Sequence, residues 1–273
     1  MTEQTMLPPA KALVPHAAPP VSVPPPDPPA TSANGAGHPG VGDDIVTVNT
    51  RWSFAGSTPQ KFDSHVSKSV PLYAEGHELV SHCVEFFCRR GGIVIDVGCS
   101  TGTLLERLAS KDSCKEVSLV GYDLEADMVR VARQRCAALE NVTIRQSDLL
   151  SVDYTGANAV IMYYTLQFLA PRERRAALKL VADGLVEGGG LLLFEKTLSP
   201  DPRTQDIVQQ LYSEYKSDQG FEPGEIYEKA RSLRSVLAPQ RSSDTHDLLR
   251  ESGFTSVVTI QKYLFFEGIL AIK

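Results

Sequence analysis

Cysteine is scarce in this 273-residue chain and badly spaced for metal. Cys83, Cys88, Cys99, Cys114 and Cys136 form no Cys-x-x-Cys pair and match no paired-histidine spacing, which argues against a zinc site. Their odd number, in a chain with no apolar leader, fits reduced thiols in a cytoplasmic protein. Long hydrophobic runs are missing too. Nothing approaches the ~18 apolar residues of a membrane helix, so no membrane partner is expected. Positive charge is also short: 27 Lys and Arg stand against 33 Asp and Glu, a net charge of −6. That balance excludes a grip on nucleic acid by bulk electrostatics. The local cluster Arg172, Arg174 and Arg175 is broken by Glu173 and reads as a solvated helix face.

What is abundant is proline, and it is concentrated at one end. Pro8-Pro9, Pro19-Pro20, Pro24 to Pro26 and Pro28-Pro29 alternate with Ala, Ser and Gly. Such a segment cannot bury enough apolar surface to offset the entropy of ordering it. Residues 1–50 are therefore expected to be a disordered, partly polyproline II tail. Residues 51–273, in a chain that is 42% hydrophobic, have the material for a core.

The organising stretch of that second part is Ile93 to Leu108. Ile93-Val94-Ile95 reads as a buried strand, Asp96 to Gly102 as a tight turn, and Leu104, Leu105 and Leu108 as the inner face of a helix. A turn at the carboxyl end of a strand in an open α/β sheet is where ligands bind. The spacing fits neither Gly-x-Gly-x-x-Gly nor a phosphate loop, because position 100 is Ser and no Lys follows Gly102. Asp96 would repel a pyrophosphate but suit a cation. S-adenosylmethionine, with an ammonium, a sulfonium and no phosphate, is such a ligand.

Two further acids fall at strand ends. Val117 to Tyr122 leads to Asp123, placed to accept from both hydroxyls of a ribose. Val142-Thr143-Ile144 leads to Asp148, which could accept from an adenine amino group while Leu149 packs the ring. The remaining pattern alternates. Helices are expected at Tyr73–Arg89, Ala126–Leu139 and Arg172–Val186, the last stopped by Gly188-Gly189-Gly190. Ala157–Tyr164 and Leu191–Phe194 are the fourth and fifth strands. Two helices over Pro202–Arg234 would cover the site, a helix spans Thr245–Ser252, and Ser256–Tyr263 with Phe265–Ile272 form a closing pair. The fold expected is α/β: a Rossmann-like doubly wound sheet of the class I methyltransferase type, mostly parallel, with a C-terminal antiparallel hairpin.

The turn Asp96 to Gly102 resembles the first motif of class I S-adenosylmethionine-dependent methyltransferases. Ser69-Val70-Pro71-Leu72-Tyr73, Thr165-Leu166-Gln167-Phe168-Leu169 and Glu195-Lys196 add a closer resemblance, to the carboxy-S-adenosylmethionine synthase family. It runs from about Phe62 to the C-terminus. The resemblance implies a cofactor, S-adenosylmethionine or its carboxylated derivative, made in that family with prephenate for a tRNA wobble-uridine modification. It implies that Tyr73 contacts the cofactor, that Gly98, Cys99 and Ser100 wrap its amino acid part, that Asp123 and Leu124 hold the ribose, and that Asp148 and Leu149 hold the adenine. It also exposes two departures. Tyr163 stands where the family has Asn, and Ala230 where it has the arginine that pairs with the added carboxylate. Arg231 is the next residue. It either substitutes for that arginine or is an exposed helix residue.

The first reading is therefore an S-adenosylmethionine-dependent methyltransferase acting on a small molecule, with Tyr163, Tyr164 and His77 as candidate groups on the acceptor side and Arg231 and Tyr163 as candidate catalytic residues. The alternatives are carboxy-S-adenosylmethionine synthesis and a non-catalytic cofactor-binding protein. Cys99 reads as a small residue where space is short, and a homodimer is left open.

Overall fold

The computed structural model describes residues 58–234 and 236–273. The proline-rich tail expected over residues 1–50 lies outside them. Two helices, α1 (Thr58–Ser69) and α2 (Tyr73–Glu85), come first, separated by Pro71 and by Leu72, which turns the chain at φ 56°. The α/β alternation follows: β1 (Ile93–Val97), α3 (Thr103–Ala109), β2 (Ser118–Asp123), α4 (Ala126–Arg135), β3 (Val142–Gln146) and β4 (Ala157–Tyr163). Then come α5 (Pro171–Gly184), β5 (Leu185–Lys196), α6 (Pro202–Asp218), α7 (Pro223–Ser232), α8 (Ser242–Ser252), β6 (Ser256–Tyr263) and β7 (Phe266–Ile272).

The strands form one sheet in the order β3-β2-β1-β4-β5-β7-β6. The first five are parallel, and β7 runs antiparallel to both β5 and β6. This is the doubly wound architecture expected from the sequence. Strand order reverses at β1, which pairs with β2 on one side and β4 on the other. A crevice forms at the carboxyl ends where an open sheet reverses. Apolar side chains on the two faces make two core layers. Leu104, Leu105 and Leu108 of α3 lie in one, and Ala177, Leu178 and Val181 of α5 in the other.

Several boundaries differ from the pattern in the sequence. Helix α2 stops at Glu85 rather than Arg89, because the chain must turn so that Gly91 N–H can donate to Glu116 O (2.9 Å). Helix α4 stops at Arg135 rather than Leu139, and Leu139 N–H bonds back to Cys136 O in a turn (3.0 Å). Helix α5 ends at Gly184, not at the glycine triplet. A Cβ at Gly184 would stand 2.4 Å from Tyr154 Cβ. Gly188-Gly189-Gly190 belongs instead to β5, beside the register shift between Ala157 and Ala159.

Arg174 also corrects an expectation. It is not on a solvated face: it is fully buried, ion-paired to the fully buried Glu195, and donates to Ala238 O (2.9 Å). Thr245 completes the group by donating to Glu195 Oε1 (2.7 Å). The cluster is buried because it staples α5, β5 and α8 together. Nothing in the local charge pattern at Arg172–Arg175 distinguishes that residue from its exposed neighbours.

Candidate active site

A cavity of about 420 Å³ opens at the carboxyl ends of the parallel strands, lined among others by Asp123, Leu124, Met128, Asp148 and Leu149. A smaller one of about 60 Å³ is lined by Tyr73, His77, Asp96, Cys99, Tyr163 and Tyr164. Phe62, Gly98 and Ser100 border both. Twelve of the candidate site residues named from the sequence therefore converge on one region: Tyr73, His77, Asp96, Gly98, Cys99, Ser100, Asp123, Leu124, Asp148, Leu149, Tyr163 and Tyr164. Gly102 stands just behind, at the N-terminus of α3 with φ 80°.

The turn explains why glycine is needed at 98. Its φ is 76°, and a Cβ would lie 2.2 Å from Thr165 Oγ1. That hydroxyl is itself fixed, donating to Val97 O (2.8 Å). Ser100 follows at φ 52° and points its N–H at Asp123 Oδ2 (2.8 Å). Glu125 N–H donates to the other oxygen, Oδ1 (2.9 Å). Burial raises the pKa of Asp123, and these backbone donors oppose the rise. A carboxylate has about four lone-pair sites, so Asp123 keeps two acceptor positions after these bonds. Asp148 Oδ1 accepts from Leu150 N–H (2.8 Å), capping a short 3-10 turn.

Asp96 is the electrostatic centre. It is 2% exposed, and its Oδ1 has no hydrogen-bond partner among the described residues. Burial first, and the charge of Asp123 second, push its pKa up to about 7. A buried acceptor without a donor is costly. A cationic donor placed there would satisfy the oxygen and draw the pKa back down.

Aromatic rings close the smaller lobe. Tyr73 stands 4.7 Å from His77 and 5.1 Å from Tyr163, centroid to centroid. Tyr163 Oη donates to Tyr73 O (2.7 Å), so that hydroxyl is already engaged. Tyr164 sits at φ 61° with its hydroxyl buried and, among the described residues, without a hydrogen-bond partner. His77 is pushed down to about pKa 4, by burial first and the Arg107 charge second, and is neutral at pH 7. A lobe of neutral rings with one buried acid suits a positively charged centre. Cys99 is buried, and burial lifts its thiol well above the usual range, so it is no nucleophile.

Arg231 is not brought to this region. It lines neither cavity, stands half exposed, and pairs with Glu228 on its own helix (3.5 Å). Ala230 is exposed as well. Helix α7 turns about 100° per residue, so the shift of one position from Ala230 does not carry Arg231 inward.

The sequence reading missed the latch that holds α1 over the site. Asp63 accepts from Thr101 Oγ1 (2.6 Å) and pairs with Arg135 Nη2 (2.6 Å). Arg135 also donates to Thr101 Oγ1 (2.9 Å) and to Thr103 Oγ1. This places the neighbouring Phe62 against both cavities. Asp63 and Arg135 lie 72 positions apart, so no local pattern signals the pair.

A family profile described as "Methyltransferase domain" matches residues 94–189. The carboxy-S-adenosyl-L-methionine synthase of Campylobacter fetus is 34% identical over 228 residues, 83% of this chain and 96% of that protein. The protein of the same name from Staphylococcus epidermidis is 32% identical, over 82% of this chain and 97% of its own length. The chain belongs to the carboxy-S-adenosyl-L-methionine synthase family. Solved structures more distant in sequence share the fold of this family member. An O-methyltransferase family protein from Burkholderia thailandensis has a TM-score of 0.55 at 20% identity, covering 81% of this chain and 61% of its own. The magnesium protoporphyrin IX methyltransferase of Synechocystis, solved with bound SAH, has a TM-score of 0.53 at 18% identity, covering 76% and 87%. The family assignment makes the chain an S-adenosylmethionine-dependent transferase.

Proposed function

We propose that this enzyme transfers the methyl group of S-adenosylmethionine to a small-molecule acceptor. The residues present fit the cofactor. Asp123, oriented by two backbone donors, would take the ribose diol, and Asp148 with Leu149 the adenine. Asp96 would take the ammonium of the amino acid part, which supplies the donor its buried Oδ1 lacks. Tyr73, His77 and Tyr163 would surround the sulfonium and keep water from it. Held there, the cofactor would supply an electrophilic methyl carbon, whose transfer to an acceptor lone pair would leave its sulfur as a neutral thioether. Much of the catalysis is then alignment, which a rigid aromatic lobe can provide.

The observation that carries methyl transfer over carboxylation is the outward face of α7. Ala230 and Arg231 are both exposed and line neither cavity, so the two positions that the family resemblance singles out present no guanidinium there. An uncompensated buried carboxylate beside the sulfonium lacks the bidentate partner that guanidinium supplies.

A second reading, carboxy-S-adenosylmethionine synthesis, is favoured by relatives of that name matched over 96–97% of their length. One experiment separates the two. The protein is incubated with S-adenosylmethionine, with and without prephenate, and the adenosyl products are read by mass spectrometry. Methyl transfer predicts no cofactor heavier by a carboxyl group, and S-adenosylhomocysteine once an acceptor is supplied. Prephenate-dependent appearance of the heavier species overturns that ranking.

A further inference from the structure

Two sulfur atoms meet at the amino ends of β1 and β2, the opposite end of the sheet from the cavities. Cys88 Sγ and Cys114 Sγ stand 3.1 Å apart, and both are free thiols. Unbonded carbon atoms pack best at about 3.5–4.0 Å, and sulfur is larger than carbon. Side-chain packing alone does not bring two such atoms so close. Neither cysteine lines a cavity, so the reaction proposed above has no use for them.

The two segments are tied together on both sides of the pair. Before it, Glu85 at the end of α2 accepts from Lys111 Nζ (3.0 Å) and from Ser113 Oγ (2.9 Å). After it, Gly91 N–H donates to Glu116 O (2.9 Å). Each backbone is also fixed where the cysteine stands. Cys88 N–H donates to Val84 O (3.1 Å), and Asn141 Nδ2 donates to Cys114 O (2.9 Å). The sulfurs therefore have only about 1 Å to close to reach the ~2.05 Å of a disulfide. The pair is polarised as well. The hydrogen bond from Cys88 holds the Cys114 thiol below its ordinary range, against the opposing effect of burial, and the same bond raises the thiol of Cys88. Access is divided the other way: Cys88 is half-buried and Cys114 fully buried. A reagent from solvent meets Cys88, and Cys114 waits behind it as the thiolate, which is the nucleophile in disulfide chemistry.

We propose that Cys88 and Cys114 are a modification site, which a small peroxide converts reversibly to a disulfide tying the end of α2 to the turn before β2. Cys88 passes its proton to Cys114 along the hydrogen bond between them, and its sulfur attacks one peroxide oxygen. The O–O bond breaks, and the other oxygen leaves as hydroxide, which takes the proton from Cys114 and becomes water. The Cys114 thiolate then attacks Cys88 Sγ, the S–O bond breaks, and hydroxide leaves. The two sulfurs together lose two electrons, and the peroxide gains them. A dithiol returns the electrons by two exchanges. The loop closed spans residues 88–114 and contains β1, the turn Asp96 to Gly102 and α3. The bond therefore closes, at its base, the segment whose turn borders both cavities, and it restricts that segment in the unfolded chain.

The test uses the full chain, reduced and then freed of reductant. It is treated with a small molar excess of hydrogen peroxide, alkylated, digested and read by mass spectrometry, with thermal unfolding followed before and after. The first product expected is a pair of peptides joined through Cys88 and Cys114 and lighter by two hydrogens. The unfolding midpoint should rise by about 5 °C, and dithiothreitol should undo both changes. Cys88→Ser and Cys114→Ser should each lose the crosslink and the rise, while Cys83→Ser keeps them. The wild-type peptide map decides the matter even where the buried Cys114→Ser fails to fold. Two thiols that stay open to alkylation after peroxide, a first crosslink through another cysteine or between two molecules, or Cys88 oxidised to a sulfinic acid with no bridge overturns the site. A bridge that dithiothreitol does not cut, or one that leaves the unfolding midpoint unchanged, overturns it equally.

Discussion

Ser100 N–H donates to Asp123 Oδ2 at 2.8 Å, joining the turn after β1 to the end of β2. The contact requires φ 52° at Ser100, and φ 76° at Gly98 two residues earlier. The strained turn and the acid therefore fix each other, and the free lone pairs of Asp123 are aimed before any ligand arrives. Preorganised acceptors cost less to engage on binding.

Asp123→Ala removes this acceptor from the turn and, on the proposed function, from the ribose. S-adenosylmethionine affinity is expected to fall by about 1.5–3 kcal/mol, the range for hydrogen bonds to a charged group. Calorimetry on a folded variant checks it, and unchanged affinity would remove Asp123 from the site.

Asp96 makes stability depend on pH. Its pKa is raised from 3.8 to about 7, so between those values the native state holds a proton that the unfolded state has lost. Stability of the cofactor-free protein from this group falls as pH rises through that window, and the deficit is complete above about pH 7. Asp96→Asn should abolish that slope and gain stability over the wild type at pH 8, by at most about 4 kcal/mol at 1.36 kcal/mol per unit. Denaturant unfolding at pH 5 and pH 8 measures it. An equal wild-type-to-variant difference at both pH values would show that Asp96 is not held protonated.

The ion pair of Arg174 and Glu195 is fully buried on both sides. Arg174→Leu leaves the buried Glu195 without its ion-pair partner, and should cost about 3–5 kcal/mol. The double variant Arg174→Leu, Glu195→Leu should recover part of that loss. A loss under about 1 kcal/mol in the single variant, read from urea midpoints, would mean that the pair is solvated.

Arg231→Ala should change S-adenosylmethionine affinity and turnover by less than about 0.5 kcal/mol, as an exposed residue outside both cavities does. A loss of activity tenfold or greater, with the fold intact, would place Arg231 in the reaction.

The local sequence is enough to read the sheet and to name residues that line the two cavities. Ile93-Val94-Ile95 followed by Gly98 and Gly102, and acids at Asp123 and Asp148, each express a constraint that acts within a few residues. The parts that were not legible depend on contacts distant in sequence. Arg174 looks like Arg172 and Arg175 until β5 brings Glu195 against it. Asp63 has no meaning until Arg135 arrives from α4. The glycine triplet resembles a helix stop because glycine ends helices, whereas α5 ends earlier, at Gly184, where the missing Cβ lets Tyr154 pack close. Lys196 reads only as part of a motif, since the Tyr212 ring it shares with Lys216 comes from α6.

The central claim is that the buried Asp96 carboxylate reads a cationic cofactor. The most direct test is calorimetric titration of the purified full-length protein with S-adenosylmethionine at pH 7.5, repeated on Asp96→Asn, with NAD as a phosphate-bearing control. Saturable one-to-one binding of S-adenosylmethionine, no binding of NAD, and a loss of about 30-fold or more in the folded variant are expected, as for a buried charge that loses its partner. Binding of NAD in place of S-adenosylmethionine, or equal affinity of wild type and Asp96→Asn, would contradict it.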